Sequence, residues 1–494
     1  MANNDRAVDQ DLLRRIRDLR KRRGQYRSTD RASRELLRLS SMMPDGSLER
    51  EVFERAEIQG SSYKAIAAAL NISERHLYRI RRRMIEMIEA SESDLSARMP
   101  ERLSALDLIA TLLRYGHAQR AVEAIRRAEN VSFTARERIE LAALQAMAAC
   151  QTGDFAGART VIERIAAESA RLGEADRGFA RRRLRMTQGY VSYWYGLYEE
   201  ALAHCEAALA PHLRKSPAAV GAEDLRSVAG DAVFLGLLHQ EGGSPQRAVD
   251  VLTFAEKLLR RSNGDVPLVE LTLAYINRAF AKAALPDSLP EARRDADEAL
   301  LLTRSNGLLC EEVLARLASG VLHEFAGDTE AALNDVRYAL DLGRAVLSGD
   351  PLCRTHYITS RVQVFAGKID ETLTHIGEAR SLVPPDSLLG TIAEIVEGRI
   401  HWARSDAAAT FDSASRGIVA FQRRKTSTHY LGYAFLSRAL AGERLGVDVR
   451  ADAESAVHLL SRGGFIADQR RALELSARLT GNRRHEQIAR DLHA

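Results

Sequence analysis

Apolar residues recur at three- and four-residue spacing through most of the chain, which predicts helices from end to end. Leu13, Ile16 and Leu19 form the inward stripe of a helix within Leu12 to Arg38, broken at Gly24 and resumed from about Thr29. Further on, Ile66 and Leu70 share one helical face and Ala67 is small enough for close crossing. Ile72 fills the angle of a turn, and Ser73 caps a following helix with Leu77, Ile80 and Met84 inward. Two helices joined by a short turn are therefore predicted between residues 48 and 90.

Beyond a linker at 91–100 the pattern becomes periodic. A small residue ends one apolar helix and Ala follows five residues later at Gly116/Ala121, Gly153/Ala158, Gly196/Ala201, Gly243/Ala248, Gly327/Ala332 and Gly446/Ala451. Weaker copies stand at Asp287/Ala292, Gly367/Thr372 and Arg404/Ala409. Glycine makes the tight turn between two helices, and alanine lets the second cross closely over the first. About nine such units are predicted to fill residues 101–494.

Composition agrees: 11 Pro in 494 residues and 6% aromatic side chains, with Ala, Leu, Arg and Glu abundant, favour an all-α chain. The four cysteines, Cys150, Cys205, Cys310 and Cys353, form no C-x-x-C pair and read as buried apolar side chains. Met1 to Gln10 are polar, and no apolar run approaches the roughly 20 residues of a membrane span. A cytoplasmic location is expected. Residues 1–90 hold 20 Lys+Arg against 14 Asp+Glu, so net charge is +6 there and −2 over the remainder. The basic residues cluster at Arg14 to Arg38 and Arg75 to Arg83, as expected of an end that meets a polyanion.

The segment R-E-V-F at 50–53, followed by Gly60-Ser61-Ser62-Tyr63 and the Ile66 to Ser73 run, resembles the helix-turn-helix of sigma factor region four and of two-component response regulators. The resemblance implies a recognition helix from Glu74, placing Ser73, Glu74, Arg75, His76, Tyr78, Arg79, Arg82 and Arg83 toward double-stranded DNA. Residues 1–47 are too few for the remaining promoter-binding domain of a sigma factor. This basic segment either extends the DNA footprint, assists dimerisation, or does neither.

Tyr193 to Ala203, continuing to Leu209, resembles a tetratricopeptide repeat, and Gly189, Gly236 and Gly320 stand seven residues before their turns where that family favours small residues. The implied fold is a helix-turn-helix domain (48–90) followed by a right-handed α-solenoid of tetratricopeptide-like hairpins. Family register points Arg183, Tyr190, Tyr193, Asn277, Arg354, Tyr357, Arg361 and Arg399 into a concave groove suited to peptide backbone and carboxylate.

No nucleotide loop, zinc-protease helix or hydrolase elbow is present. Ser61-Ser62-Tyr63-Lys64 matches S-x-x-K without its companion motifs, and His401, His429 and His458 are too far apart to suggest a metal site. The expectation is a homodimeric DNA-binding regulator without enzyme activity, cofactor or metal, whose repeats sense a peptide, a small ligand or a protein. One alternative has the repeats only docking another protein such as RNA polymerase. A second is an adaptor that binds no DNA.

Overall fold

A computed structural model describes residues 101–492, apart from 130, 223, 262–266, 370–371, 385–386, 425–428 and 463–465. Before residue 101 it describes 40, 43, 47–58, 63–70, 72–73, 77 and 80. Among these residues all regular structure is helical.

Near the N-terminus, α1 (Leu48–Phe53) is capped by Ser47, whose hydroxyl accepts from the Arg50 N–H at 3.2 Å. It runs into a π-helical turn, Glu54–Ile58, and α2 follows at Tyr63–Ala69. Of the apolar positions picked from the pattern, Ile66, Ala67, Leu77 and Ile80 are buried, as are Val52 and Phe53, Leu70 and Ile72 are half-buried, and Met84 lies outside the described residues. Leu77 donates its N–H to the Ser73 carbonyl at 3.0 Å, the first bond of a further helical turn.

The array comprises ten hairpins. Units 1 to 5 are α3 (Glu101–Arg114) with α4 (Ala118–Ala128), α5 (Ala135–Gln151) with α6 (Phe155–Arg171), α7 (Glu174–Trp194) with α8 (Tyr198–Leu213), α9 (Leu225–Glu241) with α10 (Pro245–Leu259), and α11 (Leu268–Ala283) with α12 (Leu289–Asn306). Units 6 to 10 are α13 (Leu309–Phe325) with α14 (Thr329–Val346), α15 (Gly349–Phe365) with α16 (Thr372–Ser381), α17 (Leu388–Ala403) with α18 (Ala407–Arg423), α19 (His429–Leu445) with α20 (Arg450–Leu460), and α21 (Ile466–Thr480) with α22 (Arg483–Asp491). The tenth unit lacks the alanine mark, since Glu486 stands five residues after Gly481.

Every hairpin turns on one residue with positive φ: Gly116, Gly153, Gly196, Gly243, Asp287, Gly327, Gly367, Ser405, Gly446 and Gly481. Two marks shift accordingly. In unit 8 the left-handed residue is Ser405 rather than Arg404, and the buried small residue is Thr410 rather than Ala409. In unit 9 the turn is two residues longer, so Ala453 is buried and Ala451 exposed.

The crossing has one register. A Cβ on Gly189 would lie 2.4 Å from Cys205 Sγ and 3.1 Å from the Ala201 carbonyl; on Gly320, 2.8 Å from Val336 and 3.2 Å from the Ala332 carbonyl. Gly398 meets the Thr410 carbonyl and Ala414 in the same relation. Position −7 relative to the turn thus packs on +5 and +9 in units 3, 6 and 8, the close approach expected of small residues on facing ridges.

Successive units coil until the ribbon's two rims meet. The unit 1 turn docks on the loop between units 6 and 7, where Ser348 donates its N–H to the Tyr115 carbonyl at 2.9 Å and a Cβ on Gly116 would overlap Ser348. Tyr115 also donates its hydroxyl to Glu311 at 3.0 Å. The unit 2 turn at Gly153 faces Pro384, between units 7 and 8, and the unit 3 turn at Gly196 faces Arg424, between units 8 and 9. The offset advances by one unit each time.

Replacing Gly189 by Val should cost about 1–3 kcal/mol through overpacking at the crossing, measured as a lower denaturation midpoint. A second expectation concerns His239, buried on α9 with Nδ1 unpaired; burial lowers its pKa to about 4. A histidine depressed on folding contributes stability that is complete above its ordinary value near 6.5 and is lost as pH falls toward 4. His239→Gln should therefore flatten the loss of stability between pH 6.5 and 4 by at most ~3 kcal/mol, read from denaturation at each pH.

Candidate partner-binding groove

The first helices of the units line the inside of the coil, and the eight groove residues predicted from register separate into three environments. The first is a sealed interior. Arg354 of α15 pairs with Glu241 of α9 at 2.8 Å and with Asp350 at 3.4 Å. Tyr193 donates to the other Glu241 oxygen at 2.9 Å and receives from Arg354. His429 Nδ1 lies 2.7 Å from the Glu241 carbonyl, and Tyr357 is hydrogen-bonded to Tyr430. Units 3, 4, 7 and 9 therefore meet at one residue, Glu241, through its carboxylate and its backbone carbonyl. Tyr190 accepts from Gln151 at 3.1 Å, and Tyr190 and Tyr193 both pack on Phe234. Burial raises the Asp350 carboxyl above its ordinary range, against the opposing pull of Arg354.

Arg183, with its Glu140 contact at 2.8 Å and Asp231 at 3.5 Å, belongs to a second buried cluster joining units 2, 3 and 4. Burial raises the Asp231 pKa to about 6 despite Arg182 and Arg183 beside it. Asn277 is half-buried on α11.

Arg361 and Arg399 occupy the third environment, a cavity of about 280 Å³ between units 6 and 10. Arg361 pairs with Glu324 at 3.0 Å and Arg399 with Asp468 at 3.2 Å. Val364, Val396, Ile400, Leu436 and Leu440 supply an apolar wall. Trp402 forms part of the lining, with the Arg444 guanidinium 4.0 Å and the Arg471 guanidinium 6.0 Å from its ring centroid. Arg471 has no carboxylate within ion-pair distance among the described residues, and desolvation together with Arg399 pushes its guanidinium below the ordinary range. Three arginines and two acids line this cavity. It offers an excess cationic charge beside a flat aromatic face and an apolar wall.

Trp402, Tyr433, Arg471, Glu324 and Asp468 escaped the sequence reading. The signal was there for one of them: Trp402 is one of only two tryptophans and follows Arg399 by three residues on the same helix face.

Of the residues assigned to DNA, Ser73 is described and exposed. Glu74, Arg75, His76, Tyr78, Arg79, Arg82 and Arg83 lie outside the described residues, as do the basic segment 12–38 and the linker 91–100.

No family model and no curated protein matches the chain. Solved structures do match. A Rap protein complexed with Competence and Sporulation Factor aligns at 11% identity over 76% of this chain and 99% of that one, with a TM-score of 0.50. The apo form of the quorum sensor NprR from B. thuringiensis aligns at 12% over 79% and 98%, with a TM-score of 0.37. A tetratricopeptide repeat protein from Parabacteroides merdae ATCC 43184 aligns at 15% over 61% and 98%, also at 0.37. The array is a tetratricopeptide-like helical solenoid. No described helix is long and apolar enough to cross a membrane.

The two inner environments should respond differently to truncation. Arg354→Ala strands Glu241 as a buried, uncompensated carboxylate and should cost about 3–5 kcal/mol, with faster hydrogen exchange in α15 and α19. Arg471→Ala, at the mouth of the cavity, should change stability by less than about 0.5 kcal/mol in the same measurements.

Proposed function

We propose that the chain is a DNA-binding transcriptional regulator, without enzyme activity, whose repeat domain takes up a peptide or a protein segment in the cavity between units 6 and 10. The observation that carries the ligand half is the chemistry of that cavity: Arg361, Arg399 and Arg471 line it against two acids, Glu324 and Asp468, with Arg471 against Trp402 and much of the remaining lining apolar. A carboxylate entering there relieves the repulsion among the guanidiniums, while an apolar side chain fills the wall. A peptide C-terminus or an acidic residue next to an apolar one has both features. The complex of the Rap protein with Competence and Sporulation Factor, on a similar fold, supports a ligand-binding role for the array.

The DNA half rests on the basic helix-turn-helix pattern at 48–90 and on the burial of its predicted apolar positions. Coupling between the halves follows from the closed coil. Units 6 to 9 line the cavity and also hold one side of the rim contacts; units 1 to 4 hold the other side of those contacts, and unit 1 follows the head in the chain. A ligand that alters the crossing of units 6 and 7, which supply Glu324 and Arg361 to the cavity, alters the seating of unit 1. A tenfold change in DNA affinity needs only about 1.4 kcal/mol of such coupling.

The test is selection of genomic fragments by the purified full chain, followed by binding measured against salt. Wild-type affinity should fall steeply with salt, and Arg75→Ala with Arg79→Ala should remove fragment preference while leaving the helical circular dichroism unchanged. Arg399→Ala with Arg471→Ala should keep fragment binding yet lose affinity for apolar-acidic peptides by about tenfold or more. Unselective, salt-insensitive fragment recovery would overturn the DNA assignment; equal peptide binding by that double variant would overturn the cavity assignment.

A further inference from the structure

Unit 7 departs from its neighbours at one register of the hairpin. Eleven residues before the left-handed turn residue, and eight or eleven after it, the adjoining units place opposite charges across the crossing. In unit 6 these are Arg316 and Asp335, 2.6 Å apart; in unit 8 they are Glu394 and Arg416. The same positions of unit 7 hold His356, His375 and Glu378. His356 stands at the position that is cationic in unit 6 and anionic in unit 8, His375 stands where unit 6 has its acid, and Glu378 where unit 8 has its arginine.

The three side chains converge. Their donor atoms all lie within 4.8 Å of one another, with His356 Nε2 3.4 Å from Glu378 Oε2 and the two imidazole centroids 5.7 Å apart. His375 and Glu378 project from one face of α16 at i,i+3 spacing, and His356 meets them from α15. His356 is only 1% exposed, and its Nδ1 makes no hydrogen bond. The counter-charge comes from outside the unit: Arg344 of α14 places Nη2 2.8 Å from Glu378 Oε2 and 3.4 Å from His375 Nδ1. Its side chain is 33% exposed, so the guanidinium has a path to solvent.

We infer that His356, His375 and Glu378 form a binding site for a divalent cation of the zinc class, for which the Arg344 guanidinium is the built-in competitor. Two imidazoles and a carboxylate leave a fourth position for water, the donor set of three-ligand zinc sites. Calcium and magnesium prefer shells made wholly of oxygen, and two nitrogen donors select against them. Metal binding needs modest closure of the three donors and outward rotation of Arg344. That rotation unties α14 from α16 four residues before Ser348, where the unit 1 turn docks, so the metal acts on the loop that receives the N-terminal end of the array.

The test uses the untagged full chain, stripped with chelator, titrated with Zn²⁺ by calorimetry and with Co²⁺ by visible absorption. One saturable site per chain is expected, with the intense d–d bands of low-coordinate cobalt. His375→Ala should weaken binding by about tenfold or more, and Arg344→Gln should tighten it by about tenfold because the competing cation is gone. A purely structural Arg344–Glu378 pair predicts no tightening. Circular dichroism confirms folding of each variant, and Arg344→Gln leaves all three ligands in place. Loss in the first variant together with tightening in the second supports the site; a titration lacking either change overturns it.

Discussion

The structure depends on a single backbone requirement met ten times among the described residues: a residue in the left-handed region that reverses the chain between two helices in a short connection, most often of three residues. Eight of the ten are glycine, for which that region carries no Cβ penalty; Asp287 and Ser405 are the exceptions. Once the reversal is set, the distance along each helix to the crossing is set too. In units 3, 6 and 8 the glycine at −7 and the small residue at +5 follow from that distance, because a larger side chain at −7 would push the helices apart. Each hairpin then presents its neighbour with nearly the same surface, and repetition makes a solenoid.

Closing the coil changes what the inner surface can do. Polar residues that register alone would assign to an open groove are spent on holding the coil together, with Glu241 serving Tyr193 and Arg354 through its side chain and His429 through its carbonyl. Buried ion pairs of this kind add little net stability over a well-packed apolar substitute, yet they resist loss of either partner. They are better suited to specifying one seating of the coil than to strengthening it. Binding chemistry is left to the far end, where the walls of units 6 to 10 stay apart and arginine outnumbers its counter-ions.

Much of this was legible before any coordinates. The glycine–alanine marks located eight of the ten turns to the residue and a ninth to within one, with the small residue at −7 in units 3, 4 and 6, because those features are local and obey sequence spacing. Ser405 and Thr410 were misplaced by one because neither is the glycine or alanine that the mark seeks, and unit 10 went unseen for the same reason. The inward direction of Arg354, Tyr193 and Tyr357 was readable from register; their burial was not. That burial depends on units as much as four and five apart in sequence meeting across the coil, which no helical period encodes. Trp402 and Arg471 lay beyond reach for a related reason: the cavity is formed by helices of five different units, and its charge imbalance exists only once they are assembled.

The rim contacts bear on how such a chain folds. An open repeat array is quasi-one-dimensional: each repeat interacts only with the next, so folding can begin anywhere and ends can fray or be trimmed with local effect. Here Tyr115 and Ser348 are joined across 233 positions of sequence, and His429 and Glu241 across 188. Those contacts turn a string of neighbours into a loop of dependencies. Closure entropy must be spent before they form, which slows folding, and once formed they tie the first hairpin to the seventh. The first nine hairpins are thereby joined as one cooperative body, in which loss of the first is felt at the seventh.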